Sequence, residues 1–252
     1  MEEYRYHYKY PHPNVTTDCV IFGYDGVRLK VLLIQRGNEP FKGSWAFPGG
    51  FLEMDESAES GALRELREET GLRGAYIQQF HTFSDPYRDP RERVLTVAFF
   101  ALVRIEEVQG GDDAAKAEWF ALDEIPPLAF DHEQMLQLAL RALRRQMCYE
   151  PIGFELLPNH FTMKQLQTFY EAIFEMRFDN NKFYRKMLRW GILTPVDETE
   201  TESPRKNPRL YKFNRDDCYQ TIREENMLDS CKSEHKREPL KRVKIIRKKY
   251  YK

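Results

Sequence analysis

The sequence predicts an α+β protein with two parts. A sheet-building part of about 147 residues carries one helix in its middle and one at its end, and a smaller part follows with two helices and a polar hairpin. Three observations predict this. Apolar, β-branched runs separated by turn residues fill the first hundred positions. Two long stretches, near 57–70 and 131–147, have helical spacing with caps at their ends. Past Cys148 the pattern changes to short capped helices with basic faces.

Taken in order, VTTDCVIFGYDGVRLKVLLIQR (15–36) reads as two strands turning at Asp25-Gly26, where glycine tolerates the turn. GNEPFKGSWAFPGG (37–50) reads as a loop. The stretch from Ser57 to Thr70 holds good helix formers and no proline, and Gly71 is a stop. Strands follow near Tyr76–Thr82 and Val94–Val103. Asp131 is an N-cap candidate for a helix whose apolar positions Met135, Leu136, Leu138, Leu140 and Leu143 end near Met147. Further on, Thr162 with Gln165 forms a capping-box pattern before MKQLQTFYEAIF. Asp179 is placed to cap NNKFYRKMLRW, and Gly191 halts it. ILTPVD and RLYKFN then flank the polar stretch TETESPRKNP.

Charge narrows the function classes. The chain has 252 residues and a formal net charge of −1, so its overall charge makes no case for nucleic acid. The distribution does. Residues 232–252 hold ten Lys/Arg against Glu234 and Glu238, and the second helix past Cys148 has a basic face of Lys182, Arg185, Lys186 and Arg189. Helix, turn, basic helix and hairpin is the order of a winged helix-turn-helix, with Arg205, Lys206 and Arg209 on or near the wing. The opening MEEYRYHYKYPHP lacks the apolar core of a signal peptide, and the apolar run 94–103 is too short to cross a bilayer. Cys19, Cys148, Cys218 and Cys231 have neither metal-ligand nor disulfide-framework spacing. A soluble cytoplasmic protein without membrane contact is expected.

The most informative segment is GFLEMDESAESGALRELREETGL (50–72). It reads Gly50, five residues, Glu56, seven residues, Arg64-Glu65-Leu66, one residue, Glu68-Glu69, one residue, Gly71-Leu72. Seven fixed types and two apolar positions align by chance about once in a billion starts at average composition. On a helix, Glu65, Glu68 and Glu69 fall within roughly 100° of arc, so three carboxylates share one face. Their mutual repulsion weakens the helix. A hard divalent cation, magnesium or manganese, relieves it and takes further oxygen ligands from a substrate phosphate. Arg64 precedes Glu68 by four residues and is placed to orient it. Glu56, at the start of the helix, is a capping group, a metal ligand or both.

That pattern is a complete Nudix box, the signature of hydrolases that cleave a diphosphate linked to another moiety. Together with TFSDPYRDPRERVLTVAFFALV, EWFALDEIPPLAFDH, FELLPNHFTMKQLQTFYEAIF and DNNKFYRKMLRWGIL, it makes the chain from about Pro13 to Asn214 resemble the Nudix-related transcriptional regulators. The resemblance implies a mixed-sheet α/β/α sandwich over residues 1–147, a winged helix-turn-helix over 148–226 and a basic tail over 227–252. It also implies a homodimer on a palindromic double-stranded operator and a nucleotide-type ligand such as ADP-ribose. In this family the glycines before the box, here Gly49 and Gly50, admit close approach of the backbone to substrate. Asp85–Arg91 resembles a stretch of ADP-ribose pyrophosphatases, which implies substrate contacts from Arg88 and Arg91. Glu65 and Glu69 are then the principal metal ligands and Glu68 the third. Glu65 is alternatively the catalytic base, with Asp112, Asp113 and Glu118 as weaker candidates. Two other readings stay open: a repressor that binds a sugar or nucleotide effector without turnover, and a pyrophosphatase without DNA binding.

Overall fold

In the computed structural model, residues 8–72, 75–105, 114–149, 152–153, 156–196 and 208–214 are described. Arg205, Lys206, Asp112, Asp113 and the tail lie outside them. The anticipated hairpin is β1 (Asn14–Tyr24) and β2 (Leu29–Arg36). Its turn is held by the Asp25 carboxylate, which accepts the backbone N–H groups of Val27 and Arg28 at 2.9 and 2.7 Å. After it come β3 (Trp45–Ala46), β4 (Gly49–Phe51), α1 (Ala58–Thr70), β5 (Tyr76–Phe83), β6 (Val94–Leu102), β7 (Ala114–Ala121) and α2 (His132–Tyr149). Ser57 caps α1 through its side chain, and Gly71 closes it at φ 75°.

These strands make one seven-stranded sheet. β1 runs parallel to β6 and antiparallel to β2 and β4, so the sheet is mixed. Strand alternation then sends neighbours to opposite faces. Cys19 and Ile21 meet Ala62 and Leu66 of α1, while Val20 and Phe22 meet Met135, Ala139 and Leu143 of α2. The result is the α/β/α sandwich. Three strands depart from the sequence expectation. β3 and β4 are two and three residues long, in a segment read as loop, and owe their existence to pairing with β2 and β1. β7 starts in alanines and lysine, poor strand formers, and is specified by its register along β2.

Beyond α2, β8 (Phe161–Thr162), α3 (Met163–Phe174), α4 (Asn180–Arg189), β9 (Leu193–Pro195) and β10 (Leu210–Phe213) form a winged helix, with β8, β10 and β9 in one antiparallel sheet. The capping box is realised in both directions. Thr162 Oγ1 accepts the Gln165 N–H at 3.2 Å, and Gln165 Oε1 accepts the Thr162 N–H at 2.8 Å. Asp179 caps α4 by accepting the Lys182 N–H at 2.9 Å. Between the helices the buried Glu171 carboxylate accepts from Phe178 N, Gln167 Nε2 and Arg177. Burial alone would raise this carboxyl, but those donors hold it below its ordinary value, which fixes the turn that aims α4.

No core boundary falls at Cys148. Leu156, Phe161, Phe169 and Tyr170 belong to the same apolar cluster as Phe22 and Leu29, and the Tyr24 and Phe169 rings meet edge to face at 5.1 Å. Arg144 of α2 donates from Nε to the Ile173 carbonyl at 2.7 Å, satisfying one of the orphan acceptors in the last turn of α3. No helix among the described residues is long and apolar enough to cross a membrane. Cys19 is a buried free thiol, but Cys148 is disulfide-bonded, which corrects the expectation drawn from cysteine spacing.

Candidate functional site

A cavity of about 270 Å³ opens where β1, the end of β2, β4, α1 and the start of α2 converge. One wall is acidic. Glu69 is buried, and its Oε2 accepts the Gly49 N–H at 2.8 Å, which aims this carboxylate from α1 at the strand. Glu65 lies one turn earlier. A Cβ on Gly50 would stand 2.1 Å from Glu65 Oε1, so only glycine lets that carboxylate approach the backbone. Burial pushes the Glu65 carboxyl up, opposed by its hydrogen bond from Arg64. Asp18, a nearly buried carboxylate within β1, completes the wall.

Arg64 organises the acidic helix face. Its guanidinium bonds Glu56 Oε1 at 2.7 Å, Glu65 Oε1 at 2.7 Å, Glu68 Oε2 at 3.1 Å and the Phe51 carbonyl at 3.1 Å. This network holds the Glu56 carboxyl below its ordinary range, Arg64 being the first cause. Of the sequence-derived candidates, Glu65, Glu69, Gly49, Gly50, Arg88 and Arg91 line the cavity. Glu56 and Glu68 do not. Glu56 is a latch between Arg64 and the Glu53 N–H, and Glu68 is half exposed between Arg64 and Arg67. Among the described residues no group of three His, Cys, Asp or Glu side chains is gathered closely enough to cage a metal alone. Glu118 lies on β7, paired with Lys116, and does not line the cavity.

The opposite wall is cationic. The Arg88 side chain is buried and forms a two-pronged pair with Asp131 at 2.9 and 2.7 Å, with Asp18 3.7 Å away. Asp131 therefore spends its carboxylate on Arg88 rather than on capping α2. Arg91 pairs with Asp89 at 2.7 and 3.0 Å and stands over the Phe51 ring at 5.5 Å. Arg36 was not anticipated. Its Nε donates to the Pro40 carbonyl at 2.8 Å and its guanidinium lies 4.8 Å over the Phe130 ring. Among the described residues it pairs with no carboxylate. Burial and then Arg91 lower its basicity.

His132 was also missed. It is buried, stacks on Phe47 at 5.4 Å, and its Nδ1 accepts the Phe47 N–H at 3.0 Å. The remaining nitrogen faces the cavity 3.8 Å from Asp18 Oδ1. Burial pushes this imidazole below its ordinary value. A depressed value means the neutral form contributes stability that is present above about pH 6.5 and lost as pH falls through the lower folded value. Melting temperature is therefore expected to drop more for the native protein than for His132→Asn between about pH 7 and about pH 5. Equal drops would show that His132 carries no such linkage.

At the other end of the molecule, Lys182, Arg185 and Arg189 are exposed on α4, and Arg209 is exposed beside β10. Lys186 is half-buried on the flank rather than on the open face.

The NUDIX domain profile matches residues 12–139, and that of the NrtR DNA-binding winged helix matches residues 153–213. The ADPR responsive transcriptional repressor NtrR of Acinetobacter baylyi is 36% identical over 209 residues, 81% of this chain and 83% of that protein. This chain belongs to the Nudix-related transcriptional regulators. In its Nudix part it is 43% identical to the ADP-ribose pyrophosphatase of Methanocaldococcus jannaschii, over 52% of this chain and 76% of that enzyme. The crystal structure of Shewanella oneidensis NrtR superposes with a TM-score of 0.70 at 31% identity, over 81% of this chain and 96% of that one. The same protein has been solved with a 27mer DNA (TM-score 0.68) and, as its NUDIX domain, with ADP ribose (TM-score 0.50, 37% identity over 55% of this chain). The Nudix box of this chain is thus the segment that supplies the acidic wall of the cavity.

Proposed function

We propose that this chain is a ligand-sensing transcriptional regulator. Its Nudix cavity takes ADP-ribose or a related nucleoside diphosphate derivative, hydrolyses it, and is coupled to a winged helix that binds an operator. One observation carries this reading: a single cavity sets Glu65 and Glu69 against the guanidinium groups of Arg36, Arg88 and Arg91. A diphosphate needs the cations, and Glu65 and Glu69 would hold a divalent metal. The donor set suits such a metal, since Glu65 is a desolvated carboxylate relieved by a cation, and magnesium takes few protein ligands. When bound, magnesium or manganese neutralises the diphosphate and acidifies a water for in-line attack.

The residues of the chain divide the remaining work. Gly49 and Gly50 keep the backbone clear of the carboxylates, and Arg64 holds Glu65 in place. Arg36 and Arg91 are placed for the phosphates, while Phe130 and Phe51 offer ring faces beside them. His132, with its proton on the cavity-facing nitrogen, presents a neutral donor. In this reading the chain divides into a Nudix part over 1–147, a winged-helix part over 148–226 and a basic tail over 227–252, the first two sharing one core. A cytoplasmic homodimer on a palindromic operator fits the two-part architecture. A panel of nucleoside diphosphate derivatives assayed with magnesium and manganese tests turnover. No product above the Glu65→Gln background would remove catalysis from the reading.

A second reading, effector binding without turnover, is favoured by Glu68, which does not line the cavity. Calorimetric binding of ADP-ribose with no product formed would select it. For the DNA-binding part, Arg185→Ala and Arg189→Ala are each expected to cost about 1–3 kcal/mol on the operator if they pair with guanine. Removing 232–252 should weaken operator and random DNA alike and flatten the salt dependence. Fluorescence titration at several salt concentrations distinguishes the two behaviours.

A further inference from the structure

On α4 the buried Phe183, Met187 and Trp190 mark the side packed on the core. At 100° per residue the opposite direction falls between Leu188, Asn181 and Arg185, with Arg189 on one flank and Tyr184 on the other. The open face of this helix is therefore not purely basic. Leu188 is 41% exposed near its centre, and Tyr184 is 39% exposed one turn before it. An isolated exposed leucine calls for no explanation, but these two are neighbours four residues apart, beside Arg185 and Arg189. Tyr184 is also held in place. Its hydroxyl lies 3.2 Å from that of the buried Tyr211 on β10, so the wing sheet anchors the tip of the ring and leaves its side exposed on the flank of the open face.

We propose that Leu188 and Tyr184 read thymine methyl groups in the major groove, giving the helix a sequence preference that its arginines alone do not supply. The inference rests on the DNA-binding reading above and deepens it. Apolar contact with the thymine C5-methyl is the readout open to such side chains in the major groove. Four residues of helix advance about 6 Å. Two base-pair steps, at about 3.4 Å each, cover a similar distance. The two side chains therefore address thymines about two steps apart, beside the bases reached by Arg185 and Arg189.

The test uses the full chain. Sites are selected from a random duplex library, and each thymine of the selected duplex is replaced in turn by deoxyuridine, which removes the methyl and keeps every hydrogen-bonding group. Fluorescence anisotropy should show, in each half-site, two positions about two steps apart where the replacement weakens binding about fourfold, as expected for one buried methyl-sized group. Leu188→Ala should lose sensitivity at one position and Tyr184→Ala at the other, each keeping the other response. Both residues are exposed, so both variants should fold, which circular dichroism checks. A uracil scan flat at every position, or scans unchanged in both variants, would overturn the proposal while leaving DNA binding intact. Failure to enrich any sequence over random duplex would overturn the DNA-binding reading itself, and this inference with it.

Discussion

Replacing Glu65 with glutamine is expected to lower hydrolysis of a nucleoside diphosphate substrate by about three orders of magnitude, a barrier increase of roughly 4 kcal/mol. The reason is geometric. Glu65 is the carboxylate admitted to the backbone by Gly50, and glutamine fills the same space without the charge that would hold the proposed divalent cation. Stability should move the other way. Burial raises the Glu65 carboxyl, so the charged form is disfavoured in the folded state relative to the unfolded one. A raised folded value contributes stability below the unfolded value of about 4.3 and loses it as pH rises through the folded value. At neutral pH without metal, the glutamine variant should therefore melt no lower than the native protein. Arg64 keeps an acceptor in the amide oxygen, so its network persists. Equal rates in the two proteins would remove Glu65 from the chemistry. A slow variant that also melted much lower would instead mark Glu65 as a structural residue.

The acidic half of the site was legible in the sequence because it is local. Glu65 and Glu69 share a helix with its own caps, and Gly49 and Gly50 adjoin the same motif, so spacing alone brings them together. The cationic half was legible only in part. Arg88 and Arg91 sit in one short loop, but Arg36 and His132 reach the cavity from elements far apart in the chain. Asp18 left a signal that went unread: a carboxylate inside the apolar run VTTDCVIF is costly unless it is used. Glu56 and Glu68 show the opposite limit. Helical spacing put Glu68 beside its fellow carboxylates, and one Arg64 nitrogen does bind both Glu65 and Glu68, but Glu68 stays half exposed and outside the cavity lining. In the fold, elements with their own caps and periodicity were found nearly to the residue, as α3 and α4 were. β3, β4, β7 and β8 were not, because long-range pairing rather than local pattern makes them strands.

Phe169→Ala is expected to destabilise the whole described fold by about 3–5 kcal/mol, although Phe169 lies in the winged helix far from the cavity. Its ring is 1% exposed, meets Tyr24 of β1 edge to face, and stands where a Cβ on Gly153 would come within 2.7 Å. Removing it empties the seam where Phe22 and Leu29 share a core with Phe161, Leu166 and Tyr170. Because that core is continuous, the Nudix and winged-helix parts should unfold together, in one transition displaced without a change in slope. Urea titration followed by intrinsic fluorescence, and by ligand-dependent protection of the Nudix part, checks this. Two separable transitions with the Nudix one unmoved would show that the seam does not couple the parts. The same contacts bear on a chain shortened to end near Met147, where the sequence pattern changes. In the structure that cut strips Phe169 from Tyr24 and the α3 carboxyl end from Arg144. The shortened protein should therefore keep its cavity residues but lose several kcal/mol of stability, as large buried aromatic surface returns to water.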